Sequence, residues 1–175
     1  MESSMILIFP TELEAARLRE LRPDLDIRIC GVGAVECATE VARILRTEPK
    51  PLLLCGIAGA YDRTLQKGDV VAVAEERYAH ISTGYIDSYH ATIEIDGLPT
   101  AISNTVSHCG MEAEGATIEN MEGAALFALA KAEGVPCAEI RAISNYVGEE
   151  RNDWNIELAI ELLTKTILTL NIEEI

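Results

Sequence analysis

Positive charge is scarce in this chain: 14 lysines and arginines stand against 29 aspartates and glutamates, a formal net charge of −15. Such a balance repels a phosphate backbone, and no basic stripe offsets it locally, which argues against nucleic acid as a partner. Histidine is limited to His80, His90 and His108, far apart and outside any H-E-x-x-H or H-x-E signature, so a metal site has no support. Cysteine is odd in number and forms no C-x-x-C pair. Cys30, Cys37, Cys55, Cys109 and Cys137 lie mostly among apolar or small residues and read as reduced core thiols. No uninterrupted apolar run is long enough to cross a bilayer, so no membrane partner is expected. The first ten residues carry a short apolar run without a basic leader, which predicts a buried strand and a cytoplasmic protein.

What is present suits a globular enzyme-sized unit. A chain of 175 residues fits one domain over residues 1–175 and hides about two thirds of its unfolded surface. Met5 to Phe9 reads as a buried strand, and Thr11-Glu-Leu-Glu14 opens a helix with a T-x-x-E capping box. Ile27 to Cys30 predicts a strand that passes through Gly31-Val32-Gly33 into a helix over Ala34 to Arg46, closed by Pro49 and Pro51. Further strands are predicted at Leu52 to Cys55, from Asp69 to Ala74 toward His80, and at Thr92 to Ile95 and Ala101 to Val106 around the turn Asp96-Gly97-Leu98-Pro99. A small-residue helix follows from Asn120 to Glu133, then a core strand from Ala138 to Ile143. Asn152 or Asp153 is expected to cap a last helix to about Leu170 that buries Trp154, Leu158, Leu162 and Leu163. This alternation predicts an α/β fold, a three-layer α/β/α sandwich around a mixed, largely parallel sheet.

Several positions carry polar chemistry where such a sheet exposes ligands. Gly31-Val32-Gly33 does not make a dinucleotide fingerprint, because Glu36 occupies the third glycine position and would face a pyrophosphate. Gly56-Ile57-Ala58-Gly59 reads either as a turn or as backbone that approaches a ligand closely. Glu14 is either a capping-box carboxylate or a ligand group beyond the end of the first strand; Glu122, in a first helical turn, poses the same choice. Asn145 directly follows an apolar strand and is placed to point into the crevice. Arg141, inside that strand, needs a buried partner and reads as one half of a structural ion pair.

Taken together, Glu119-Asn120-Met121-Glu122-Gly123, Arg141-Ala-Ile-Ser144-Asn145, Gly56-Ile57-Ala58-Gly59 and Lys67-Gly-Asp-Val-Val71 resemble the ribose, base and sugar-side motifs of the purine nucleoside phosphorylase and nucleosidase superfamily. Asn104 to Ser107 and Val147 to Ile156 add a resemblance to its futalosine hydrolases, which release hypoxanthine from a 5′-modified nucleoside of the menaquinone pathway. The resemblance implies a water-activating Glu14, a Glu122 that grips the ribose hydroxyls, and an Asn145 that meets the base. Gly56, Ile57, Ala58, Gly59, Asn120, Met121 and Ser144 would complete the substrate pocket. No cofactor is implied, and the relatives are homodimers in which a neighbouring subunit helps close the pocket.

Breaking an N-glycosidic bond develops positive charge on the sugar, needs an aligned water and leaves a purine whose nitrogen must be stabilised. An asparagine amide suits a 6-oxopurine, which presents acceptors at both N7 and O6. Ile57 stands where many relatives have serine, which favours water over phosphate, although Arg28, Arg43, Arg63 and Arg77 are open as anion ligands. Relative to the family pattern the chain is short between the first helix and Cys30 and between Tyr85 and Asn104. Methylthioadenosine or adenosylhomocysteine nucleosidase, purine nucleoside phosphorylase and a non-catalytic purine-binding paralogue therefore stand as alternatives.

Overall fold

Both faces of the first strand are apolar, and the fold follows from burying each against a separate pair of helices. The computed structural model describes residues 5–78, 87–170 and 172. In chain order its elements are β1 (Ile6–Phe9), α1 (Glu12–Leu21), β2 (Asp26–Ile29), α2 (Ala34–Leu45), β3 (Leu52–Ala60), β4 (Val70–Tyr78), β5 (Asp87–His90), β6 (Thr100–Thr105), β7 (Ile118–Asn120), α3 (Gly123–Glu133), β8 (Cys137–Tyr146) and α4 (Ile156–Thr169). Leu7 and Phe9 of β1 and Leu53 and Cys55 of β3 pack with α1 and α4 through Ala15, Leu18, Ala159, Leu163 and Ile167. Alternate residues Ile6, Ile8, Leu52 and Leu54 turn the other way, onto Val41 and Ile44 of α2 and Leu126 and Phe127 of α3. The expected three-layer α/β/α arrangement is thus built by simple alternation along two strands.

Strands β1 and β2, β1 and β3, β3 and β8, β4 and β6, and β6 and β7 pair in parallel. The pairs β3 with β7, β4 with β5 and β4 with β8 are antiparallel, so the sheet is mixed but largely parallel, as expected. The order runs β2-β1-β3-β7-β6-β4-β5, and β8 bridges β3 and β4. Five strands, β3, β7, β6, β4 and β8, therefore close on themselves, around small and β-branched side chains such as Ala58, Ala60, Val71, Val73 and Ile143.

Four sequence expectations are corrected. Thr92 to Ile95 is not a strand: the Thr92 and Ile93 amides both donate to the Cys137 carbonyl, at 2.9 and 3.0 Å, so this segment crosses the start of β8 instead of lying alongside it. The glycine-containing stretch 56–59 is no loop but the second half of β3, paired with β8 through a register shift between Ala58 and Gly59. Helix α3 starts at Gly123, not Asn120, because Asn120 ends β7 and its side-chain oxygen caps the amides of Glu122 and Gly123, each at 2.8 Å. Asn155, not Asn152 or Asp153, caps α4, whose buried stripe is Ala159, Ile160, Leu163, Thr164 and Ile167; Leu158 and Leu162 are only half-buried. Strand β4 does continue beyond Ala74, to Tyr78; His80 and Tyr85 lie outside the described residues. Among the described residues no helix is long and apolar enough to cross a membrane.

Candidate active site

The ends of β1, β7 and β8 bring three polar side chains, Glu14, Glu122 and Asn145, to one cleft at the margin of the sheet. Thr11 caps α1: its hydroxyl oxygen accepts from the Glu14 amide at 3.3 Å, while the hydroxyl donates to Glu14 Oε2 at 2.5 Å. The Glu14 carboxylate does not turn back to the Thr11 amide as a capping box would require. Its Oε1 instead accepts from the Ile57 amide of β3, at 3.0 Å. Glu14 is 5% exposed, and this burial raises its pKa above the ordinary carboxylate value, against the lowering pull of the Thr11 hydroxyl, the Arg141 charge and the Ile57 amide. Desolvation wins, and the result is a carboxyl suited to exchanging a proton.

Arg141 is 1% exposed and spans the floor between β8, β3 and the start of α3. Its Nε donates to Glu139 Oε1 at 2.6 Å, Nη1 to the Ile57 carbonyl at 3.2 Å, and Nη2 to Asn120 Oδ1 at 3.1 Å and Glu122 Oε2 at 3.2 Å. The buried ion pair expected for Arg141 is therefore formed, with two partners. Gly56 makes room for it: a Cβ there would overlap the guanidinium. Glu122 is held from the other side as well, its Oε1 accepting from the Gly33 amide at 2.8 Å. Each Glu122 oxygen thus has one protein partner and keeps a lone pair for a hydroxyl donor.

At the end of β8, Ser144 donates to Asn145 Oδ1 at 2.8 Å and the Asn145 amide donates to the Tyr146 carbonyl at 3.2 Å. With its oxygen engaged by Ser144, Asn145 offers its second N–H to the crevice. Glu119 stands nearby, accepting from the Tyr61 hydroxyl at 2.7 Å and the Gly110 amide at 2.9 Å. Burial and that carboxylate keep the Tyr61 hydroxyl protonated.

A single cleft with a volume of about 200 Å³ collects these groups. Of the residues expected from the sequence, Glu14, Ile57, Ala58, Gly59, Asn120, Met121, Glu122, Ser144 and Asn145 line it. Gly56 does not; it supports the wall from beneath Arg141. Arg28, Arg43, Arg63 and Arg77 are absent from the lining and are engaged elsewhere, with Asp26 and Glu48, with Glu40, over the Tyr146 ring and with Glu75. Val32 puts the first glycine turn on the cleft wall. Four cysteines are buried, whereas Cys109 is exposed on the rim. Sequence reading assigned no role to Glu76 or Glu139, both buried beneath the site.

The Phosphorylase superfamily model matches residues 105–170, which contain Glu119 to Gly123 and Arg141 to Asn145. The chain is 31% identical over 179 residues to futalosine hydrolase of Thermus thermophilus, an alignment that takes in 82% of this chain and 80% of the relative. Its fold is similar to a futalosine hydrolase mutant of Helicobacter pylori, with a TM-score of 0.83 and 14% identity over 94% of this chain and 96% of that one. It is also similar to the 5′-methylthioadenosine/S-adenosyl homocysteine nucleosidase of Campylobacter jejuni, with a TM-score of 0.80 and 18% identity over 99% and 100% of the two chains.

Proposed function

The chain belongs to the purine nucleoside phosphorylase and nucleosidase superfamily and is an N-glycosidase, and on that premise we propose that it hydrolyses futalosine to hypoxanthine and dehypoxanthine futalosine. The observation that carries this reading is the convergence of Glu14, Glu122 and Asn145 on one cleft. Glu14, buried and poised to take a proton, activates the water. Glu122, fixed by Arg141 and Gly33, accepts from the 2′ and 3′ hydroxyls and stabilises the positive charge that builds on the ribose. Asn145 donates to the departing purine, with its orientation set by Ser144. Gly59 keeps that approach open, since a Cβ there would stand 3.1 Å from the Asn145 amide nitrogen.

Water is the nucleophile in this proposal. Among the described residues the cations on the cleft wall are Arg141 and Arg151. Arg141 is spent on two carboxylates, and Arg151 lies 4.4 Å over the Trp154 ring. Arg141 therefore offers no free charge to a phosphate dianion, and Ile57 brings no hydroxyl; Arg151 keeps its charge over the ring, and the phosphate arm of the test below reads whether it serves as an anion ligand. A cytoplasmic homodimer completes the reading. Leu13 and Val32 on the cleft, with Val35 close after Val32 in sequence, are 68%, 51% and 76% exposed, an apolar rim that a second subunit would cover.

The test is chromatography of purified protein incubated with futalosine, methylthioadenosine, adenosylhomocysteine and inosine, with and without phosphate. Hypoxanthine released from futalosine irrespective of phosphate is the expected result. Adenine release would move the substrate to a methylthioadenosine-type nucleoside, and strict phosphate dependence would make the protein a phosphorylase. Base choice is read separately by Asn145→Asp. A carboxyl that can carry a proton to N7 suits a 6-aminopurine, so the ratio of kcat/KM for methylthioadenosine to that for futalosine should rise about tenfold, the equivalent of roughly one hydrogen bond. An unchanged ratio would count against the amide as the selector.

A further inference from the structure

Beneath the ribose side of the cleft, two carboxyls meet with no base between them. Strand β4 shifts register against β6 between Val73 and Glu75, which turns Glu75 outward to Arg77 and Ser88 and Glu76 inward, where it is 0% exposed. Glu139 of β8 is 1% exposed, and both carboxyls press on the start of α3, where a Cβ on Gly123 would overlap each of them. Glu76 is held by the Thr105 hydroxyl at 2.6 Å and by a short bond from the Asn120 amide. Glu139 spends Oε1 on Arg141, at 2.6 Å, while its Oε2, buried beside Glu76, has no donor. Arg141 is the one cation among the buried side chains of the described residues, and Glu122 shares it.

We propose that Glu76 and Glu139 hold one proton between them, the Glu76 hydroxyl donating to Glu139 Oε2, and that this pair positions Arg141 and Asn120 and through them aims Glu122 at the ribose. Two ionised carboxylates could not share this space with half a guanidinium, whereas one proton satisfies the orphaned oxygen and leaves Glu139 anionic toward Arg141. Burial also pushes the Glu76 carboxyl well up. The charged or titratable groups that bear on the pair are Arg141 and Cys137 from β8, Glu122 at the start of α3 and Cys55 from β3; Ser103 and Thr105 of β6 and Asn120 of β7 contribute dipoles only. Asn120 joins the two halves: its amide bonds Glu76 and Ser103, while its oxygen takes Arg141 and the amides of Glu122 and Gly123. Glu76 and Glu139 are positioning residues; neither lines the cleft.

The kinetic consequence rests on the assignment of Glu122 to the ribose hydroxyls. Loss of the shared proton at alkaline pH sets two anions against Arg141 and loosens Glu122, giving kcat/KM an alkaline limb. Glu76→Gln replaces the shared proton by an N–H that does not titrate, so that limb should move upward in pH. Glu76→Leu removes the donor and should lower kcat/KM about 10–100-fold, the usual effect of losing a partner one layer behind a site. Infrared difference spectra between the wild type and Glu76→Gln supply a readout that needs no turnover: the carbonyl stretch of a neutral carboxylic acid should persist at pH 8 in the wild type and vanish in the variant. An active enzyme without that band, or a Glu76→Gln profile that stays in place, overturns the pair. A band with no nucleosidase activity leaves the pair standing and removes the function proposed above. Glutamine keeps the side chain's shape and a donor for Glu139 Oε2 and gives up only one acceptor, toward Asn120 or Thr105, so the test survives even if the leucine variant fails to fold.

Discussion

Replacing Glu14 by glutamine is expected to cut turnover by about 10²–10⁴-fold, the range for loss of a positioned general base, while ligand affinity stays close to that of the wild type. Glutamine is isosteric and preserves the local bonds: its carbonyl can still accept from the Ile57 amide, and its amide can donate to the Thr11 oxygen, which the carboxylate now engages as an acceptor. What disappears is the ability to take a proton from water. Titration with a non-hydrolysable nucleoside analogue, set beside single-turnover rates, separates the two effects. Turnover unchanged in the variant would show that another group activates the water.

The same residue should write the acid side of the pH profile. Burial raises the Glu14 pKa, so the base form is lost at a higher pH than for an ordinary glutamate, and kcat/KM should fall on acidification while exposed carboxylates are still ionised. The sign follows from mechanism: activity needs the ionised form, which a raised pKa removes sooner as pH drops. Arg141 limits this shift and Glu122 adds to it.

How far the sequence carried this reading differs from residue to residue. Strands β1 and β2, the first half of β3 and helices α1 and α2 were legible because apolar runs or helical spacing lie between clear breakers, and the outward ends of such strands told where Glu14 and Asn145 would point. Thr92 to Ile95 misled because a β-rich run with apolar alternation looks the same whether it pairs along a strand or crosses one, as here at Cys137. Glu122 was found from its motif, but its local role was not, since a cap supplied by Asn120 from a preceding strand leaves no capping-box signature. Glu76 was hidden for a geometric reason. Alternation from Val71 and Val73 points to Glu75 as the inward residue, and only the irregularity before Glu75 reverses the doublet. Glu139 gives no clearer sign, because a charged residue in an apolar run declares that it is paired without saying to what.

The largest effect on stability should come from Arg141→Met. This substitution keeps much of the apolar stem but leaves Glu139 and Glu122 buried without their cation, and breaking a buried pair in this way costs about 3–5 kcal/mol. Urea unfolding at constant pH measures the loss; a cost below about 1 kcal/mol would place the pair with exposed salt bridges, against its burial here. Part of the cost is the charge left behind and part the four hydrogen bonds to β3, β7, β8 and the start of α3. Adding Glu139→Leu to Arg141→Met separates these contributions, since it removes one of the two stranded carboxylates without restoring a bond. The double variant should be more stable than the single, while its kcat/KM stays low because Glu122 still lacks the contact that aims it. Stability recovered without activity is the pattern expected if the guanidinium serves the ribose-binding carboxylate as well as the core.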